Sequence, residues 1–190
     1  MRIATRKLFV AGLLLAAGAG ASHANLLYNT SFEVESAFSY GFALNWKMND
    51  PDDHGDAWGS SARENWRAHE GQFLMALRGT WAGAGNYGGV WQEAEGHGGT
   101  SYRLTAWLWA DGGFTAQIQE LKLEFWNWDR TKLLGSAVTG FQDVGEMWVQ
   151  KDVSAVAPDG TEWVRCVIHM SGAGEAGSLQ VDDVELTASP

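Results

Sequence analysis

The sequence predicts an all-β chain, a two-sheet β-sandwich or jelly roll of about nine short strands. Three observations carry this. Apolar residues recur with a period of two in one segment after another. Gly-rich or Asp/Asn-rich turns separate those segments, and no stretch has the 3.6-residue period of an amphipathic helix.

In chain order, strands are predicted over 26–32, 42–47, 72–78, 88–93, 102–109, 121–126, 147–153, 164–170 and 179–186. The fifth alternates Tyr102, Leu104, Ala106 and Leu108 with Arg103, Thr105, Trp107 and Trp109. The sixth alternates Leu121, Leu123 and Phe125 with Lys122, Glu124 and Trp126. In the eighth, Val164, Cys166, Ile168 and Met170 share a face. In the last, Leu179 and Val181 take one face and Asp182, Val184 and Leu186 the other. Turns are expected at 83–89, 96–100, 127–130, 158–160 and 172–177. The one loop out of pattern is 49–70, acidic at its start. Pro stands only at 51, 158 and 190, so no Pro-rich linker divides the domain, and there is no internal repeat.

The N-terminus has the order of a secretory leader. Arg2, Arg6 and Lys7 precede an uncharged apolar run over 8–17, and small residues close on Ser22-His23-Ala24. The expectation is a signal peptide over 1–24 and a single β-sandwich domain over 25–190, secreted to an extracellular or periplasmic space. The apolar run is too short to span a membrane. The chain has 13 Lys and Arg against 23 Asp and Glu, and the leader takes three of the basic residues. So acidic a domain repels nucleic acid and anionic lipid, and its carboxylates suit a hard cation. Cys166 is the sole cysteine, which excludes an internal disulfide and reads as a buried, inert thiol.

Catalytic and cofactor motifs are absent from the pattern. Residues 83–88 and 172–177 both fit G-x-G-x-x-G, yet neither opens a helix, so both read as turns. No zinc spacing, serine elbow or P-loop is present. Asn29-Thr30-Ser31 is a glycosylation sequon, meaningful only in a eukaryotic host. His169 reads as a hydrogen-bonding surface residue rather than a base. Eleven Trp is several times ordinary usage, and aromatic faces suit the apolar C–H faces of sugar rings. Trp46, Trp66 and Trp163 read as packing residues.

Several segments resemble carbohydrate-binding modules of the galactose-binding-like jelly-roll superfamily, of the family 4, 9, 16 and 22 type. Residues 25–33 (NLLYNTSFE) resemble their first strand, 71–77 (GQFLMAL) an early one, 99–107 (GTSYRLTAW) a central one, and 178–186 (SLQVDDVEL) the last. The match runs in order over nearly all of 25–190. The resemblance implies a structural calcium held by Ser31, Glu33, Gly71 and Asp182, with Asp183 as the alternative in register. It also implies a polysaccharide or oligosaccharide cleft on a concave sheet made by strands at 88–93, 119–126 and 162–170. There Gln92, Lys122, Glu124, Trp126, Arg165 and His169 are expected to face outward, with Trp128, Trp81 and Tyr87 walling the cleft. Trp107 and Trp109 fall on the opposite sheet.

The function expected is therefore a secreted, non-catalytic, calcium-stabilised glycan-binding domain. The alternatives are a structural or adhesion protein contacting matrix or cell-envelope components, and a polysaccharide lyase or hydrolase.

Overall fold

The computed structural model describes residues 24–37, 42–48, 61–78, 87–174 and 176–190. Residues 1–23 of the predicted leader, the acidic start of the 49–70 loop and Trp81 lie outside them. Ten strands are described: β1 Lys47–Met48, β2 Ser61–Glu64, β3 Leu74–Leu77, β4 Tyr87–Glu95, β5 Ser101–Ala110, β6 Ile118–Trp126, β7 Leu133–Gly140, β8 Val149–Val156, β9 Trp163–Ser171 and β10 Leu179–Ser189. They form two five-stranded antiparallel sheets, ordered β1-β4-β9-β6-β7 and β2-β3-β10-β5-β8. This is the predicted two-sheet sandwich.

Alternation decides which faces meet. Leu121, Leu123 and Phe125 of β6 and Val164, Cys166 and Ile168 of β9 lie in the core between the sheets, essentially without solvent contact. Leu104, Ala106 and Leu108 of β5 do the same from the other sheet. A sheet with one buried face requires this period-two pattern. Cys166 is buried as expected, and burial pushes its thiol far above the usual range.

Three departures have physical causes. The 26–32 segment is not a strand, because Asn29 and Phe32 adopt left-handed φ values of 50° and 55°. It is tied to β10 instead through Leu26 N to Leu186 O (2.9 Å) and the Asn25 side chain. Asn45, at φ 70°, similarly shortens the 42–47 strand to Lys47–Met48. In β10 the register slips between Asp182, opposite Trp107, and Glu185, opposite Thr105. This bulge accommodates one extra residue, with Asp183 at φ 44°, and returns Val184 and Leu186 to the core face shared by Leu179 and Val181. The sequence pattern had placed them on the opposite face.

Candidate functional site

The outer face of the β1-β4-β9-β6-β7 sheet carries a row of alternating indoles and cations. Lys47 Nζ lies 4.5 Å from the centre of the Trp91 ring. The Arg165 guanidinium carbon is 4.1 Å from the Trp91 ring and 4.9 Å from that of Trp126, so it sits between two indoles. Acids fix the cations in plane. Glu93 accepts from Arg130 Nε (2.6 Å) and Arg165 Nη2 (3.3 Å). Glu124 lies 3.9 Å from Arg165 and 3.8 Å from Lys122, and accepts from Trp126 Nε1 at 3.1 Å. Beyond them Arg130 stacks 3.5 Å over Trp163, whose Nε1 donates to the Trp128 carbonyl at 3.0 Å. Trp128 itself is 73% exposed.

Strand pairing builds this row. Trp126 is opposite Trp163, and Glu124 is opposite Arg165, which is in turn opposite Glu93. Cross-strand neighbours on one face are within side-chain reach. The result is a rigid surface of ring faces, amide-like guanidinium planes and carboxylates, with the charges largely paired off. Such a surface suits a neutral ligand that is apolar on its faces and polar at its rim.

The structure brings Lys122, Glu124, Trp126 and Arg165 together on this face and places Trp128 at its end. It corrects Gln92, which is opposite Cys166 and faces inward, only 4% exposed. Its amide accepts from Tyr28 N (2.7 Å) and donates to Tyr28 O (2.9 Å), anchoring the N-terminal segment. Trp91 and Glu93 hold the outward positions instead. Gln92→Ala should therefore lower stability by about 1–3 kcal/mol, the cost of leaving partly buried backbone groups unpaired. Thermal or urea unfolding reads that loss, and an unchanged melt would remove the anchoring role.

His169 is on the outward side but is buried, not a surface residue, with Nε2 3.7 Å from Glu120. Burial, with the Lys122 charge, holds its value below the usual histidine range against the opposing pull of Glu120. Trp163 belongs to the open face rather than to the core, and Trp66 is 56% exposed with Arg78 5.4 Å over its ring. Trp46 is buried as expected. The Tyr87 backbone opens β4, and its side chain, like Trp81, lies outside the described residues.

The residues implied for calcium fall at one place where three segments meet. Glu33 Oε1 accepts from Gln72 N and Phe73 N, each at 2.9 Å, beside Gly71. Ser31 Oγ donates to Asp183 Oδ1 at 2.6 Å, and His69 Nδ1 is 2.6 Å from Asp183 Oδ2. Ligand atoms of His69, Glu70 and Asp183 lie within 4.8 Å of one another. Asp182 is fully buried and accepts from His69 N (2.7 Å), Glu70 N (3.3 Å) and Asp183 N (2.8 Å). Burial, then the charge of Asp183, pushes its carboxyl up to about 7, against those amide bonds. Paired acids with mostly oxygen donors fit a hard divalent ion, since such an ion supplies the missing positive charge. In this arrangement Asp183 and Glu70 present carboxylate oxygens, while Asp182 ties the 69–70 backbone to β10.

Gly71 has φ 67°, and a Cβ there would come 2.3 Å from Glu33 Oε1. Gly71→Ala should thus destabilise the fold by about 1–3 kcal/mol, from backbone strain and displacement of Glu33. Calorimetry checks this; a neutral substitution would mean that the 71–73 turn rearranges freely.

On the opposite sheet, Trp107 and Trp109 are half-buried under the segment after β2. His69 stacks on Trp107 (4.0 Å, 17°), Trp148 stands edge-on to His69 and Trp109, and Arg67 lies 4.5 Å over Trp109.

No protein-family model matches this sequence, and no curated protein is significantly similar to it. Solved structures do match, among them carbohydrate-binding modules of families 61, 16 and 22. The CBM22-1 xylan-binding domain of Paenibacillus barcinonensis Xyn10C is 13% identical with a TM-score of 0.58, covering 90% of this chain and 97% of that one. A cyclase from Fischerella sp. TAU is 15% identical with a TM-score of 0.57, covering 89% and 98%. The enzymatically active domain of bacteriophage CBA120 tailspike protein 4 is 13% identical with a TM-score of 0.62; the match covers 87% of this chain but only 21% of that one. At such identities the likeness is one of fold, the two-sheet jelly roll that these carbohydrate-binding modules also have.

Proposed function

We propose that this protein is a secreted, non-catalytic glycan-binding domain that takes a neutral polysaccharide chain on the outer face of the β1-β4-β9-β6-β7 sheet. The observation that carries this reading is the row Lys47–Trp91–Arg165–Trp126, in which ring faces are held at fixed intervals by paired charges. Sugar rings stack on the indoles, and their hydroxyls meet Glu93, Glu124, Lys122 and Arg165. Balanced charge favours a neutral chain over a polyanion. Xylan is the first ligand to try, since the family 22 neighbour is described as xylan-binding.

A structural calcium held by Ser31, Glu33, the Gly71 carbonyl, Glu70 and the Asp182–Asp183 pair belongs to the same reading. The ion would neutralise the acids and lock the 69–73 segment to β10, away from the sugar face.

Affinity electrophoresis and calorimetry of residues 25–190 with soluble xylan, galactan and mixed-linkage glucan test the proposal. Binding to at least one neutral polymer is expected. No binding to any, with or without calcium, would hand the fold to an adhesion or structural role. The cyclase and tailspike neighbours make a product-release arm necessary, and no released sugar is expected there.

A further inference from the structure

A pocket of about 220 Å³ opens on the other sheet beside the β10 bulge. Thr105, Trp107, Gln150, Glu70, Asp183 and Glu185 are among its lining residues, and no Lys, Arg or His lines it. Thr105 is a wall residue of the pocket and only 6% exposed, and its hydroxyl oxygen is buried without a hydrogen-bond partner. A buried hydroxyl left unpaired is unfavourable, which marks it as a group awaiting a ligand atom. Asp183 is already engaged by Ser31 and His69. Glu70 goes to the proposed calcium, whereas Glu185 has no side-chain hydrogen bond or ion pair among the described residues, so its carboxylate remains for a ligand.

We infer that this pocket binds an amino sugar through its protonated amine. The chemistry follows from the lining. An ammonium is attracted both to carboxylates and to the face of an indole ring. The Gln150 amide and the Thr105 hydroxyl offer the donor and acceptor that ring hydroxyls require. Trp107 gives an apolar wall for the ring, and the volume suits one sugar unit rather than a chain. With ten Lys and Arg against 23 Asp and Glu over 25–190, the acidic domain draws a cationic glycan toward itself. This site is separate from the face assigned to neutral polysaccharide and does not depend on that assignment.

The test is titration of residues 25–190, calcium-loaded and at pH 6, with glucosamine, N-acetylglucosamine and methylammonium, following indole N–H signals by NMR. Trp107→Phe assigns the Trp107 signal. Glucosamine should shift that signal saturably, and N-acetylglucosamine should need at least a tenfold higher concentration. Glu185→Gln and Thr105→Val should each weaken glucosamine severalfold with an unchanged melt, while Trp126→Ala leaves it untouched. Equal response to the acetylated sugar would overturn the inference, because the amine would then not matter. So would methylammonium binding as tightly as glucosamine, which would leave a simple cation site. Calcium or magnesium beyond the structural ion displacing glucosamine, with Glu185→Gln having no effect, would overturn it too by making the pocket a metal site.

Discussion

Trp126→Ala is expected to abolish measurable binding of neutral polysaccharide while shifting the melting temperature little. Trp126 is half-buried on the outer face, and its strand neighbour Phe125 carries the core contact. Binding energy concentrates in a few aromatic anchors worth about 2 kcal/mol or more each on truncation. That is roughly a thirtyfold loss of affinity. The geometry adds a second effect: Trp126 is one wall of the slot that holds Arg165, and its Nε1 steadies Glu124. Loss of the ring therefore also frees two polar groups that a sugar would meet. Trp91→Ala, which removes the other wall, should weaken binding comparably. Trp107→Phe is the control on the opposite sheet and should leave neutral-glycan affinity unchanged. Loss of affinity in Trp107→Phe with retention in Trp126→Ala would mean that the binding face is the other sheet.

Much of the sandwich was legible because burial of one sheet face forces period-two alternation, which β6 obeys strictly and β5 and β9 obey at their inward apolar positions. Two strands were not. β7 is an edge strand with Gly135, Ser136, Thr139 and Gly140 among its eight residues, so it buries too little to show a pattern. β2 spans only four residues inside a stretch that reads as loop. On the proposed binding face the error was one of parity. In β4 the polar Gln92 faces in and the apolar Trp91 faces out, which inverts the usual rule and assigns the wrong side chain to the outer face. Gly88 and Gly89 offer no side chains to set the phase. The missing Trp163 was recoverable, since it stands two residues before Arg165 and so shares its face. His69 and Glu70 were not: only the fold brings them against Asp183, 113 and more residues away.

Chelation should make stability depend on pH in a direction that one residue sets. Asp182, with its carboxyl raised to about 7, binds a proton more tightly folded than unfolded. Its contribution is fully present below about pH 4, where both states are protonated, and is lost as pH rises through 7. The metal-free protein should therefore melt progressively lower between pH 5 and pH 8, by at most about 1.4 kcal/mol of stability per pH unit. His169, held low by burial, acts oppositely: it favours folding above about 6.5 and opposes it as pH falls below. Asp182→Asn separates the two, because it removes the alkaline decline and leaves the acid limb. Asp111, Asp129 and Asp143 are all lowered from the usual carboxylate value, so their effects lie below this window. Calcium should flatten the wild-type decline by supplying the positive charge that the Asp182–Asp183 pair lacks. A hundredfold excess over Kd adds about 2.7 kcal/mol, a large share for a marginally stable domain without a disulfide. Scanning calorimetry in EDTA and in millimolar calcium at pH 5, 6.5 and 8 reads all of this. Superimposable EDTA and calcium melts at pH 8 would exclude a tight structural ion, and EDTA profiles of the wild type and Asp182→Asn with the same pH dependence would show that the Asp182 carboxyl is not strained in the folded protein.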